Sequence, residues 1–134
     1  MLGTFQQSSL RIEVEASADQ IEESLIYPSQ FRRWLWPQRF SEGMPEPLMA
    51  GMVFKSFIGP LEIRHEVQSV TDTSVHLLLA GAIDGFHQWH WGEGWVQSRL
   101  EGVSMLPLNL AQSLNIWRLR QHLNQLQQTQ QLAN

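Results

Sequence analysis

Two histidines and three tryptophans fall within twelve residues in DGFHQWHWGEGW, positions 84–95. Imidazoles bind metals and move protons, and indoles make flat apolar platforms. On a helix, His87 and His90 would share a face. On a strand, side chains alternate, so the two rings point to opposite sides and cannot chelate one ion. The aromatic content, with Gly at both ends, predicts a strand here. His65 joins His87 on the same predicted face. The pair could act as general acid or base, or simply be buried and hydrogen-bonded to Ser56, Ser98 or a backbone carbonyl. No Asp or Glu is predicted on that face to orient either ring, so the buried reading is favoured. No metal site, no catalytic residue and no cofactor is assigned: a metal needs three or four converging ligands. Neither a GxSxG elbow nor a phosphate-cradling glycine loop occurs.

These residues need a scaffold. The chain has 134 residues, 43% hydrophobic but only 16% charged, a net charge of −4 and no cysteine. One domain with one core fits that length. The charge speaks against nucleic acid, although Arg32, Arg33 and Arg39 make a local basic spot. The absence of cysteine removes disulfides and thiolate chemistry and fits a cytoplasmic protein. The opening MLGTFQQSSL has no basic stretch followed by an apolar run, so no leader is expected. No segment is apolar over the length a membrane span needs, so no stable membrane insertion is expected.

Residues 8–16 alternate, with Leu10, Ile12 and Val14 against Arg11, Glu13 and Glu15, and predict a first strand. Ser17 caps a short helix carrying Ile21 and Leu25. A second short helix follows Pro28, with Phe31, Trp34 and Leu35 on one face, closed by Pro37. Residues 41–50 read as loop. Turns at Gly59-Pro60, Asp72-Thr73, Asp84-Gly85 and Glu93-Gly94 predict five strands, at about 51–58, 61–70, 75–83, 86–92 and 95–103.

Pairing outward from each turn yields one apolar face: Phe54, Ser56, Ile58, Leu61, Ile63, His65, Val67, Leu78, Ala80, Ala82, His87, Trp89, Trp91, Val96, Ser98 and Leu100. The other face is charged but includes Leu77, Leu79, Ile83, Phe86 and Trp95. Pro107 opens a long helix to about 126, with a frayed tail at 127–134. Its apolar residues form two stripes: Leu106, Leu110, Leu114 and Trp117, and Leu108, Ile116, Leu119, Leu123 and Leu126. One must cover the sheet.

Strand, two short helices, an antiparallel run and a long C-terminal helix, over about 8–126, is an order that resembles the helix-grip fold of the START-like, or SRPBCC, superfamily. ASADQIEESLIYPSQFRRWLWP looks like its opening, and GAIDGFHQWHWGEGWVQS looks like small cyanobacterial members. The expected architecture is therefore α+β: a single domain, residues 1–134, with a curved sheet of about six strands around the C-terminal helix. The resemblance implies a cavity between sheet and helix, used by relatives for sterols, lipids, hormones and polyketides, and by cyclases and dehydratases for catalysis.

The favoured function is binding of an apolar lipid, isoprenoid, polyketide or pigment-like molecule. The ligand-binding candidates are Phe54, Ser56, Ile63, His65, Leu78, His87, Trp89, Trp91, Ser98, Leu114 and Trp117. A cyclase or dehydratase using a cavity histidine is one alternative. An interaction module with a filled cavity is another, as homodimer or with a protein partner, through Leu77, Leu79, Phe86, Trp95 or the C-terminal helix.

Overall fold

The computed structural model describes residues 3–35 and 38–133. The proposed closure of the second helix at Pro37 lies outside them. The elements are β1 (Thr4–Glu13), α1 (Ala18–Ile26), α2 (Pro28–Trp34), β2 (Arg39–Phe40), β3 (Val53–Ile58), β4 (Leu61–Thr71), β5 (Ser74–Gly81), β6 (Ile83–Gly92), β7 (Trp95–Ser104) and α3 (Leu108–Ala133). The strands form one antiparallel sheet in the order β1-β7-β6-β5-β4-β3-β2. The architecture is the expected α+β helix-grip, with a curved sheet wrapped on a long C-terminal helix. The sheet has seven strands where about six were expected, because Arg39–Phe40 adds a short edge strand beside β3.

Local chemistry explains the helix starts. Ser17 Oγ accepts from Gln20 N at 3.2 Å, and Gln20 Oε1 accepts from Ser17 N at 3.1 Å, a reciprocal cap on α1. At α3, Gln6 of β1 supplies the cap: its Oε1 accepts from Leu108 N at 3.0 Å, and its Nε2 donates to the Ser104 and Leu106 carbonyls. The edge strand therefore fixes where the long helix begins. That helix continues to Ala133.

Three of the four expected turns are present, at Gly59-Pro60, Asp72-Thr73 and Glu93-Gly94. The fourth is not. Asp84-Gly85 lies inside β6, and the chain reverses around Gly81, whose φ of +96° suits only glycine. Gly85 serves close packing instead. A Cβ there would sit 1.8 Å from the Glu101 carbonyl oxygen, so β6 and β7 approach too closely for any side chain. A second shift occurs in β4, where the register slips between Val67 and Ser69 and Gln68 bulges out.

Each of these departures moves the pairing by an odd number of residues. Together they invert β5 and leave β6 on its expected face. Val75, Leu77 and Leu79 are buried, as is Ile83, while Leu78 is 42% exposed on the outer face. Phe86 and Trp95 do lie on that outer face, where Arg99 covers Phe86 at 5.7 Å and Arg11 covers Trp95 at 4.2 Å.

On α3 the stripe of Leu108, Ile116, Leu119 and Leu123 is buried, with Leu126 partly so. The other stripe faces out: Leu110 is 64% and Trp117 52% exposed. No described helix is long and apolar enough to cross a membrane.

Candidate functional site

A cavity of about 330 Å³ lies between the sheet, α2 and the first half of α3. The sheet contributes Phe54, Ile63, Leu77, Leu79, Ile83 and Leu100. Phe31 and Trp34 of α2, Phe40 of β2 and Leu48 of the following loop make a second wall. Leu35, Gln38, Leu106, Leu110, Leu114 and Asn115 line it from partly or fully exposed positions, and so mark its mouth.

Two imidazoles supply polar atoms on the sheet wall, each held by a serine placed diagonally across a hairpin. His65 Nε2 lies 2.7 Å from Ser56 Oγ, and His87 Nε2 lies 2.8 Å from Ser98 Oγ. Ser56 Oγ also accepts from Gln38 Nε2 at 2.7 Å. Its own proton is then free to go to His65 Nε2, an arrangement with the imidazole proton on Nδ1. That atom is buried and has no hydrogen-bond partner among the described residues. The His65 ring stacks on Phe54 with centroids 4.5 Å apart.

Behind His87, Ser98 is tied to the helix. Gln112 Nε2 donates to the carbonyls of Ser98 at 2.9 Å and Ser8 at 3.1 Å, and Ser8 Oγ donates back to Gln112 Oε1 at 2.5 Å. Carbonyls only accept, so the orientation of this amide is fixed.

Burial pushes the His65 pKa down to about 3, with the charge of His87 adding to the effect, and burial alone pushes His87 down to about 4. Both rings are neutral at pH 7. No carboxylate lines the cavity among the described residues. Neutral imidazoles in an apolar wall can donate or accept a hydrogen bond, but they are poor proton donors and weak bases. Among the described residues no group of three or more His, Asp or Glu is placed to hold a metal.

Of the expected site residues, Phe54, Ile63, His65, His87, Trp89 and Leu114 line the cavity. Ser56 and Ser98 sit behind the histidines. Leu78 faces out, for the register reason given above. Trp91 is on the inner face but packs in the core away from the cavity, 1% exposed. Trp117 sits on the outer stripe of α3.

The α2 wall was missed, although Phe31, Trp34 and Leu35 share a helical face in the sequence; Trp34 meets Trp89 edge-on at 6.1 Å. Gln112 was missed too. Its spacing of four from Leu108 and from Ile116 puts it on the buried stripe, and a lone amide there is the signal.

No family model matches the chain, and no curated protein matches it. Solved structures do. CV1439 from Chromobacterium violaceum is similar with a TM-score of 0.71 at 9% identity, over 87% of this chain and 96% of that one. The Aha1 dimer from Colwellia psychrerythraea gives 0.64 at 16%, over 88% and 96%. DynU16, a protein of the dynemicin biosynthetic locus, gives 0.67 at 16%, over 88% of this chain and 47% of that one. The chain thus spans about half of DynU16. At these identities the likeness shows the fold alone, the helix-grip arrangement of a curved sheet on a long C-terminal helix.

Proposed function

We propose that this protein binds an apolar small molecule bearing one or two polar atoms. The carrying observation is the cavity of about 330 Å³, apolar except for His65, His87, Gln38 and Asn115. Its size is at the lower end for ligand sites, about 300–1,000 Å³. Lipid, isoprenoid, polyketide and pigment-like molecules suit this chemistry. Phe54, Ile63, His65, His87, Trp89 and Leu114 would touch the ligand, and Ser56 and Ser98 would hold the rings. A reducing, cytoplasmic setting and a place among small cyanobacterial-type members remain parts of this reading, carried by composition and pattern.

N-phenyl-1-naphthylamine, an apolar fluorophore with one N–H, tests it. The probe is expected to brighten on binding and to quench tryptophan fluorescence. Ala111→Trp, at a partly exposed lining position, should block entry and abolish the signal while leaving the unfolding midpoint nearly unchanged. Absence of binding to the unaltered chain, or equal binding by the blocked variant, would rule the cavity out as the site.

A cyclase or dehydratase role takes support from DynU16's biosynthetic locus, but two neutral, carboxylate-free histidines favour binding. A second reading rests on the exposed stripe of α3: association with another copy of the chain, as the dimeric Aha1 neighbour illustrates for the fold.

A further inference from the structure

A second concavity, also of about 330 Å³, lies where α2 packs on α3, and its lining is polar. We propose that it is a binding site for a small oxyanion group, a phosphate or carboxylate. Arg33 comes from α2. Arg118, Gln121, His122, Gln125 and Thr129 come from one face of α3. No carboxylate lines it among the described residues, so the charged side chains of the cleft wall are all cationic. The two segments that build the cleft reinforce this, while α1, packed on both, carries Asp19, Glu22 and Glu23 outside the lining. Residues 28–41 and 105–134 hold Arg32, Arg33, Arg39, Arg118 and Arg120 and not one Asp or Glu, in a chain whose net charge is −4.

His122 is the second, independent observation. It is 7% exposed, lines the cleft, and its Nε2 is buried without a hydrogen-bond partner among the described residues. A buried polar atom left unpaired is costly, and an anion in the cleft would give it a partner. Burial first, and then the charge of Arg33, lower the affinity of this imidazole for a proton. A bound anion offsets the Arg33 charge and favours the imidazolium, which adds a charge-assisted hydrogen bond. Trp34 lines both this cleft and the apolar cavity, so it is the partition between them. The anion comes either alone or as the head group of an amphiphile whose tail passes Trp34. The site does not depend on the cavity being occupied.

The test follows the imidazole NMR signals of the full chain at about pH 6.5, near the ordinary histidine value, at constant ionic strength. Inorganic phosphate is titrated first, then dodecyl phosphate. His122 is expected to shift saturably toward its protonated form, while His76 and His90 on the outer sheet face stay still. Arg33 is exposed, so Arg33→Gln should leave the fold intact and weaken the titration about tenfold or more, as loss of a charged hydrogen bond would. Saturation by inorganic phosphate supports a free anion as ligand. Saturation by dodecyl phosphate alone, with Trp89 signals moving too, supports a head group. A His122 signal that moves with neither, or that titrates identically in Arg33→Gln, overturns the proposal.

Discussion

At the residue scale the two cavity histidines make stability depend on pH in a defined direction. Their folded values, about 3 for His65 and about 4 for His87, lie below the ordinary 6.5 to which the unfolded chain returns them. Below that value the unfolded state takes up protons that the native state refuses. The stabilisation is complete above about pH 6.5 and is lost as pH falls toward the folded values. Each group contributes a slope approaching ~1.4 kcal/mol per pH unit, so the pair gives roughly 2–3 kcal/mol per unit around pH 5. Urea unfolding at about pH 7 and pH 5 should show this loss, and His87→Gln should remove about half of it. A midpoint that does not move between those pH values would mean that the rings are not buried as described. These two positions were legible in the sequence, because alternation read outward from the turns put His65 and His87 inward. The serine partners were legible as alternatives to a backbone carbonyl. The depth of the pKa depression was not, since it depends on how completely the walls close around each ring.

At the element scale, the Gln112 amide ties β1 and β7 to the body of α3, as Gln6 ties them to its start. Replacing Gln112 with Leu keeps the side chain's approximate bulk but leaves the Ser8 and Ser98 carbonyls and the Ser8 hydroxyl without their partner. Buried unpaired groups cost about 1–3 kcal/mol each, so the variant is expected to lose roughly 2–4 kcal/mol in urea unfolding. A change under about 0.5 kcal/mol would show that this amide does not help to hold the helix.

The same scale explains what the sequence concealed. A bulge has no composition signal: Gln68 is an ordinary strand residue whose only oddity is that the chain needs one extra unit there. Asp84-Gly85 carried a strong turn signal for the wrong reason, because Gly85 is small to let two backbones touch. The true reversal at Gly81 offered a weaker signal. Two odd slips cancelled beyond β5, so the inward face of β6 was right although the pairing that led to it was not. Leu77 and Leu79 were consigned to the outside and Leu78 to the cavity by that same inversion. The walls from α2 and the loop before β3 stayed hidden because alternation describes one sheet, and not what folds over it.

At the scale of the whole molecule, the cavity mouth and the exposed stripe of α3 are one surface. Leu110 and Leu114 line the cavity and are 64% and 41% exposed, while Trp117 at 52%, one turn after Leu114, extends the apolar area beyond it. A contiguous patch of this kind on a chain with few charges favours association. Two copies meeting through this stripe would bury both patches and cap both mouths, so self-association and ligand entry would compete. Sedimentation velocity over a range of concentrations should then show a monomer–dimer equilibrium. Trp117→Glu, which touches neither core nor cavity wall, should weaken it by roughly 30-fold or more, the effect of losing an interface residue worth ~2 kcal/mol. The fluorescent probe should enter that monomeric variant faster than the unaltered chain at high protein concentration, and equally fast at low concentration. A chain that stays monomeric throughout, or a variant that dimerises as well as its parent, would sever the stripe from self-association and leave it only as the apolar margin of the binding site.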